Sequence, residues 1–327
     1  LPLRVQGTDR RIFAAMPTST TDTTTDTASN IVVHARDLRG LERRKPDPRT
    51  TELGSLVNRH RRYSTARDSS FSSPAGLHHR PWLGRLRRAL AEDLFVLHYQ
   101  PIVSLREGTV SHYEALIRLA DDPDGRLVAP CDFLPAAERY GLIQEIDRMV
   151  IGKVVALIGE ELVGRDARVA VNLSALSITD RGMLAHIEHE LTRHRVDPER
   201  LVVEVTETAS ISDMSRAQTF CEGVHTLGSS VALDDFGAGF GSFQYLKQLP
   251  FRYLKIDGDF IRMLPSSHKD QLVVQALVGV ARGMGKQTIA EYVGDEPTMR
   301  LLRDYGVDYA QGFEVGRPCG QLEAFAV

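Results

Sequence analysis

Phe95–Leu119 reads FVLHYQPIVSLREGTVSHYEALIRL: two β-rich runs, Phe95–Leu105 and Val110–Leu119, separated only by Arg106-Glu107-Gly108-Thr109. Four residues are too few for a crossover helix, so the two runs form a hairpin and one of them must run antiparallel to the other. Six further runs follow: Arg168–Leu173, Leu201–Thr206, Ser230–Asp234, Tyr253–Ile256, Thr288–Glu291 and Tyr309–Phe313. Most of the gaps between them carry helix-period stretches, namely Phe133–Ile158, Met183–His194, Ala217–Leu227, Lys269–Met284 and Thr298–Tyr305. Eight strands with mostly helical connections predict an α/β fold, a modified TIM (β/α)8 barrel with one antiparallel strand. An open doubly wound sheet is the alternative. No Gly-rich phosphate turn follows an early strand, which counts against it.

Upstream of the hairpin, Trp82, Leu83, Leu86, Leu90 and Leu94 recur at helical spacing behind Pro81, which predicts an amphipathic helix over Trp82–Glu92. Order is expected to begin there. From Pro17 to Asn30, nine of fourteen residues are Ser or Thr, and Arg36–Arg80 alternates arginine, proline and serine. Such a composition cannot bury enough surface to offset chain entropy, so residues 1–80 are expected to be a disordered tail and 81–327 the barrel domain. Asn30–Ala35 could form one short strand but has no visible partner.

The chain has 327 residues with 42% hydrophobic and 25% charged, the composition of a folded protein. Its net charge of −3 hides an asymmetry: residues 1–80 hold 14 basic and 8 acidic side chains, leaving the rest at −9. A body that acidic is a poor non-specific binder of polyanions, so binding to DNA or RNA duplexes is not expected, and a phosphate ligand would require metal ions or placed cations. Three distant cysteines, Cys131, Cys221 and Cys319, suggest neither a disulfide framework nor a zinc ribbon. Such cysteine usage suits a reducing cytoplasm, which is the expected location, and with no apolar run long enough to span a bilayer a soluble protein is expected.

In such a barrel the side chains at the C-terminal strand ends converge on one face. Polar residues stand there in nearly every strand: Glu114, Asn172 closing VAVN, Glu204 closing LVVE, Asp234 and Asp235 in VALDD, Lys255 in YLKID, Glu291 closing TIAE, and Gln311 in YAQG. One of these aspartates, Asp235, or the nearby Asp257, can serve as a helix N-cap, but five carboxylates and a carboxamide cannot all do so. Their mutual repulsion calls for divalent cations, and oxygen ligands without histidine or cysteine suit Mg²⁺ or Mn²⁺. Their number suggests two ions bound by Glu114, Asn172, Glu204, Asp234, Asp235 and Glu291, a pair suited to phosphodiester hydrolysis. Lys255 either holds the attacking water or makes a structural ion pair with Asp257 or Glu204.

These residues lie in motifs that resemble the EAL-domain family of cyclic di-GMP phosphodiesterases. The family's name motif is Glu114-Ala115-Leu116, within YEALIRL and after YQPIV at Tyr99–Val103. VNLS at Val171–Ser174, VEVTET at Val203–Thr208, LDDFG at Leu233–Gly237, LKID at Leu254–Asp257, AE at Ala290–Glu291 and QGF at Gln311–Phe313 follow in family order. The resemblance implies that Asp234 bridges two ions, that Asp235 and Glu291 serve the second, and that Lys255, Glu291 and Glu114 form the catalytic set. It further implies that Gln100 and Arg118 hold substrate, that Gln311 stands beside the metal waters, and that Glu207 steadies the loop after Asp235. The implied reaction is in-line attack of an activated water on cyclic di-GMP to give linear pGpG, in a homodimer formed through the barrel near the Asp235 loop.

Three positions depart from the family pattern. The loop DFGTGYSS reads DFGAGFGS at Asp235–Ser242, AEGVE reads Ala290-Glu291-Tyr292-Val293-Gly294, and Leu119 replaces the usual tryptophan. None removes a metal ligand, and an active enzyme is expected. The alternatives are a non-catalytic cyclic di-GMP receptor or interaction module on the same barrel, and a magnesium-assisted enolising enzyme or Schiff-base aldolase using Lys255. Asp235-Phe236-Gly237 lacks the other kinase motifs, Gly283–Lys286 lacks a complete phosphate loop, and His186, His189 and His194 read as a solvated helix face.

Overall fold

The computed structural model describes residues 80–122, 124–162, 167–206, 213–237 and 246–322. Helix α1 (Arg80–Ala91) leads into the hairpin of β1 (Phe95–Ser104) and β2 (Val110–Leu119). Helices α2 (Pro130–Arg139) and α3 (Ile143–Glu160) precede β3 (Arg168–Leu173), and α4 (Ala175–Ile178) and α5 (Met183–His194) precede β4 (Leu201–Thr206). The chain continues through α6 (Met214–Thr226), β5 (Ser230–Phe236), β6 (Tyr253–Ile256), α7 (Gly258–Ile261), α8 (His268–Gly283), β7 (Gln287–Ala290), α9 (Glu296–Tyr305) and β8 (Tyr309–Gln311).

The strands close into a barrel in sequence order. In the hairpin, Gln100 pairs with Glu114 and Phe95 with Leu119; β1 also runs antiparallel to β8, with Ile102 opposite Gln311. Every other neighbouring pair is parallel. A single reversed strand, β1, therefore accounts for the modification expected from the four-residue connection.

The helical stretch Phe133–Ile158 is corrected by the structure into two helices. Gly141, at φ +68°, takes the left-handed conformation that only glycine adopts without steric cost, and the chain turns there between α2 and α3. Strand β5 runs two residues past Asp234, while β7 stops at Ala290 and β8 at Gln311, so Glu291 and Phe313 lie just outside their strands. Side-chain caps set several helix starts: Asp213 accepts from the Arg216 amide, Ser267 from Asp270 and Asp295 from Thr298. The expected tail, apart from Arg80, and the strand proposed at Asn30–Ala35 lie outside the described residues.

The main core fills the space between barrel and helices, where Phe95, Phe133, Ile143, Ile151, Val169 and Val203 are buried. Helix α1 is tied to the end of β2 by Arg85, whose Nε lies 2.7 Å from the buried Asp121 carboxylate, and by Arg88 on the same carboxylate. A second apolar cluster, Ile102, Ala170, Val202, Ala232, Tyr253 and Ile289 with Tyr309, fills the barrel interior. His112 completes that layer, edge-on to Tyr253 and Tyr309 with centroids 4.9 Å away. No helix among the described residues is long and apolar enough to cross a membrane.

Candidate active site

The interior layer determines where the polar residues must lie. Residues two apart on a strand share a face, so the next layer toward the C-terminal mouth is found by adding two to each parallel strand's interior residue. Those positions are Glu114, Asn172, Glu204, Asp234, Lys255, Glu291 and Gln311. Strand β1 runs the other way, so Ile102 leads back to Gln100. Seven strands contribute one polar side chain each to this ring and β7 leads into the eighth, Glu291, just past its end; all but Asn172 are buried.

Hydrogen bonds and ion pairs join the ring. Asn172 Nδ2 donates to Glu114 Oε1 at 2.7 Å, and Gln311 Nε2 donates to Glu114 Oε2 at 2.6 Å. Gln311 Nε2 also reaches Gln100 Oε1 at 3.2 Å, while Gln100 Nε2 donates to the Gly316 carbonyl at 3.0 Å. Lys255, fully buried, stands among the carboxylates. Its Nζ donates to Glu204 Oε2 at 2.6 Å and lies 2.8 Å from both Asp234 Oδ1 and Glu291 Oε1, and 3.6 Å from Glu114 Oε2. The contacts to Asp234 and Glu291 are close ion pairs without hydrogen-bond alignment, and Glu204 Oε1, Glu291 Oε2 and Gln311 Oε1 have no hydrogen-bond partner among the described residues. The ion pair expected of Lys255 thus forms with Glu204, whereas Asp257 caps α7 by accepting from the Asp259 amide at 2.6 Å.

Asp235 reaches the cluster by a different route. Consecutive strand residues point to opposite faces, and Asp235 should face away from Asp234. The pairing of β5 with β6 shifts register between Leu233 and Phe236, and Asp235 takes φ +54°. This bulge turns two successive carboxylates toward one place, a use of irregular strand geometry common beside functional sites. Asp234, Asp235 and Glu291 offer oxygens that all lie within 4.8 Å of one another. Asp235 lies within β5, which Phe236 closes, so no helix begins at Phe236 for it to cap, and its carboxylate belongs to the acidic cluster instead.

The electrostatics express an unbalanced charge. Burial, with further repulsion from Glu114 and Asp234, holds the Glu204 carboxyl well above its usual range against the pull of Lys255. Burial likewise raises Glu291, and burial with the Asp234 and Asp257 charges pushes Asp235 up to about 8. Burial by itself would lower the Lys255 ammonium, but Asp234, Glu114, Glu204 and Glu291 outweigh it and hold its pKa well above the ordinary value.

Arg118, expected to hold substrate, lies on β2 beyond Glu114, half-buried, and donates to the Ile117 carbonyl at 2.9 Å. Glu207 and the altered positions Ala238 and Gly241 lie outside the described residues. One supporting residue carries only a faint signal in the sequence. Asp147 on α3 is buried, and its Oδ2 accepts from the Ser174 amide at 3.1 Å and from the Ser174 and Ser177 hydroxyls at 2.6 Å each. It anchors the turn that follows Asn172. Its signal in the sequence is a lone acid within the apolar face Ile143, Ile146, Val150 and Ile151.

The model of the EAL domain matches residues 83–318. The chain belongs to the EAL-domain family. The EAL chain is 36% identical over 250 residues to the cyclic di-GMP phosphodiesterase PdeB of Shewanella oneidensis, covering 74% of this chain and 29% of that protein. It is 37% identical over 235 residues to the bifunctional diguanylate cyclase/cyclic di-GMP phosphodiesterase MucR of Pseudomonas aeruginosa, covering 71% of this chain and 34% of that one. The chain therefore spans about a third of the length of these curated relatives. Among solved structures, the PaMucR phosphodiesterase in complex with c-di-GMP superposes with a TM-score of 0.69 at 36% identity, over 73% of this chain and 97% of that chain. The FimX EAL domain from Pseudomonas aeruginosa bound to c-di-GMP gives 0.70 at 31% identity, over 74% and 98%.

Proposed function

We propose that this EAL chain hydrolyses cyclic di-GMP to linear pGpG with two divalent cations, Mg²⁺ or Mn²⁺, as cofactors. The observation that carries this reading is the excess of carboxylate at the barrel mouth: four buried acids within 4 Å of one ammonium, Asp235 beside two of them, and Glu204 Oε1 and Glu291 Oε2 without a hydrogen-bond partner among the described residues. Buried charge of one sign is costly unless cations compensate it, and an all-oxygen donor set fits a hard divalent ion. Glu114, Asn172, Glu204 and Asp234 would hold one ion, and Asp234, Asp235 and Glu291 the other. Bound there, such ions supply Lewis-acid polarisation of the phosphodiester and a lowered pKa for the attacking water.

The chain's own groups bind and orient. Arg118 offers a planar fork suited to a phosphate, and the mutually bonded Gln100 and Gln311 fix polar contacts at the rim. Lys255 remains an ammonium, so it donates hydrogen bonds and offsets charge growing on phosphorus. A Schiff-base role requires a neutral amine, which weighs against the aldolase alternative.

The test is incubation of the purified chain with cyclic di-GMP and Mn²⁺ or Mg²⁺, with products separated by chromatography. The expected product is pGpG, lost on chelation and reduced at least about a hundredfold by Glu114→Ala. Tight binding without turnover would establish the receptor alternative instead.

A further inference from the structure

Resting on the metal-site reading above, we propose that Tyr292 is a positioning residue for Glu291. Its ring, seated on the bare backbone of Gly258, fixes the strand end bearing Glu291 against the strand end bearing Lys255. Three independent observations support this.

Tyr292 has φ +55°, a left-handed conformation that an aromatic side chain rarely adopts and that persists only where surrounding structure enforces it. Its ring occupies the space where a side chain at 258 would begin: a Cβ on Gly258 would lie 2.0 Å from Tyr292 Cδ2 and 2.5 Å from Cγ. The guanidinium of Arg262 stands 4.1 Å from the ring centroid, itself held by an Nη1 contact of 2.6 Å to Asp259.

The position of this contact gives it a role. Gly258 is the first residue of α7, two residues past the end of β6 and three beyond Lys255, and Tyr292 directly follows Glu291 just past the end of β7. The two strand ends are otherwise joined at this level by a long hydrogen bond, from the Glu291 amide to the Ile256 carbonyl at 3.3 Å. Pressing the ring onto Gly258 therefore sets the 2.8 Å approach of Glu291 to Lys255 and the place of Glu291 in the cluster with Asp234 and Asp235. A carboxylate on a freed strand end would lose this pre-arrangement, and metal binding would have to restore it.

The test uses the full chain and reads Mn²⁺ binding from the paramagnetic resonance signal of the free ion, with melting temperature and separate kcat and KM values alongside. Tyr292→Ala is expected to weaken Mn²⁺ binding about tenfold and to lower kcat more than it raises KM. Tyr292→Phe, which keeps the ring, is expected to stay within about threefold of the wild type. Gly258→Ala should resemble Tyr292→Ala, and the two combined should be no weaker than Gly258→Ala, because loss of the ring makes room for the methyl group. Unchanged Mn²⁺ affinity in Tyr292→Ala, a Phe variant as weak as the Ala variant, or losses that multiply in the double variant would overturn the proposal. If Gly258→Ala does not fold, the Tyr292 pair still decides it. A wild type that binds no Mn²⁺ overturns this proposal and the metal-site reading together, whereas one that binds Mn²⁺ in the expected pattern without cleaving cyclic di-GMP overturns the proposed function alone.

Discussion

Lys255 shows how one residue can be both visible in a sequence and ambiguous there. Its place in YLKID marks it as a polar group in a buried strand, but spacing cannot distinguish a catalytic cation from a structural ion pair. In the structure the ammonium that pairs with Glu204 also approaches Asp234 and Glu291 at 2.8 Å, so a structural ion pair and a place among the cluster's acids coexist in one side chain. Lys255→Met would leave these acids without a cation, a change that costs about 3–5 kcal/mol when a buried charge loses its partner. The loss should depend on pH with a definite sign. Glu204 and Glu291 have folded-state pKa values raised above the unfolded ones, so their contribution to stability is present at low pH and lost as pH rises through the folded values. The variant is expected to melt well below the wild type at pH 8 and to recover much of the difference near pH 5. A melting difference that does not change between the two would refute the assignment. Asp235, by contrast, was recognisable as a carboxylate beside Asp234, but nothing local announces its φ of +54°. Only the misalignment of two neighbouring strands turns it inward.

At the scale of elements, the β1–β2 hairpin was the most legible feature, because the length of a connection is a hard constraint: four residues permit a hairpin and forbid a helix. The long helical stretch Phe133–Ile158 was less so, since apolar periodicity continues across Gly141 and does not reveal that the chain turns there. Asp147 also lay hidden, as a single acid in an apolar face reads as noise until its partners are known. Its carboxylate accepts two hydrogen bonds from Ser174, between β3 and α4, and one from Ser177 on α4, so Asp147→Ala should remove the shared acceptor of an amide and two hydroxyls and destabilise the fold by about 2–3 kcal/mol. Asp147→Asn, which keeps one acceptor oxygen in place, should lose about half as much. Equal melting temperatures for Asp147→Ala and the wild type would show that Asp147 does not hold the turn.

For the whole molecule, the barrel stacks a polar ring on an apolar layer, and the two respond to pH differently. His112 sits in the lower layer, buried, with neither ring nitrogen hydrogen-bonded among the described residues. Burial, reinforced by the Arg168 and Arg252 charges, lowers its pKa to about 3. A folded pKa below the unfolded value of 6.5 means that stability is full above 6.5 and falls as pH drops toward 3, by roughly 4 kcal/mol across that window. His112→Phe should flatten this part of the curve in denaturant titrations between pH 7 and 4, and an unchanged slope would rule out His112 as the source. The sequence by itself determined the number and order of the strands, the reversed hairpin and the identity of the polar residues at the strand ends, because connection length and residue period are local and carry directly into the fold. Tertiary structure alone decided that seven of those residues meet Gln100 in one ring, that Asp235 joins them through a bulge, that Asp147 braces the turn beneath Asn172, and that Tyr292 lies on Gly258. Each of these depends on register between strands distant in the sequence, and register is fixed only when the barrel closes.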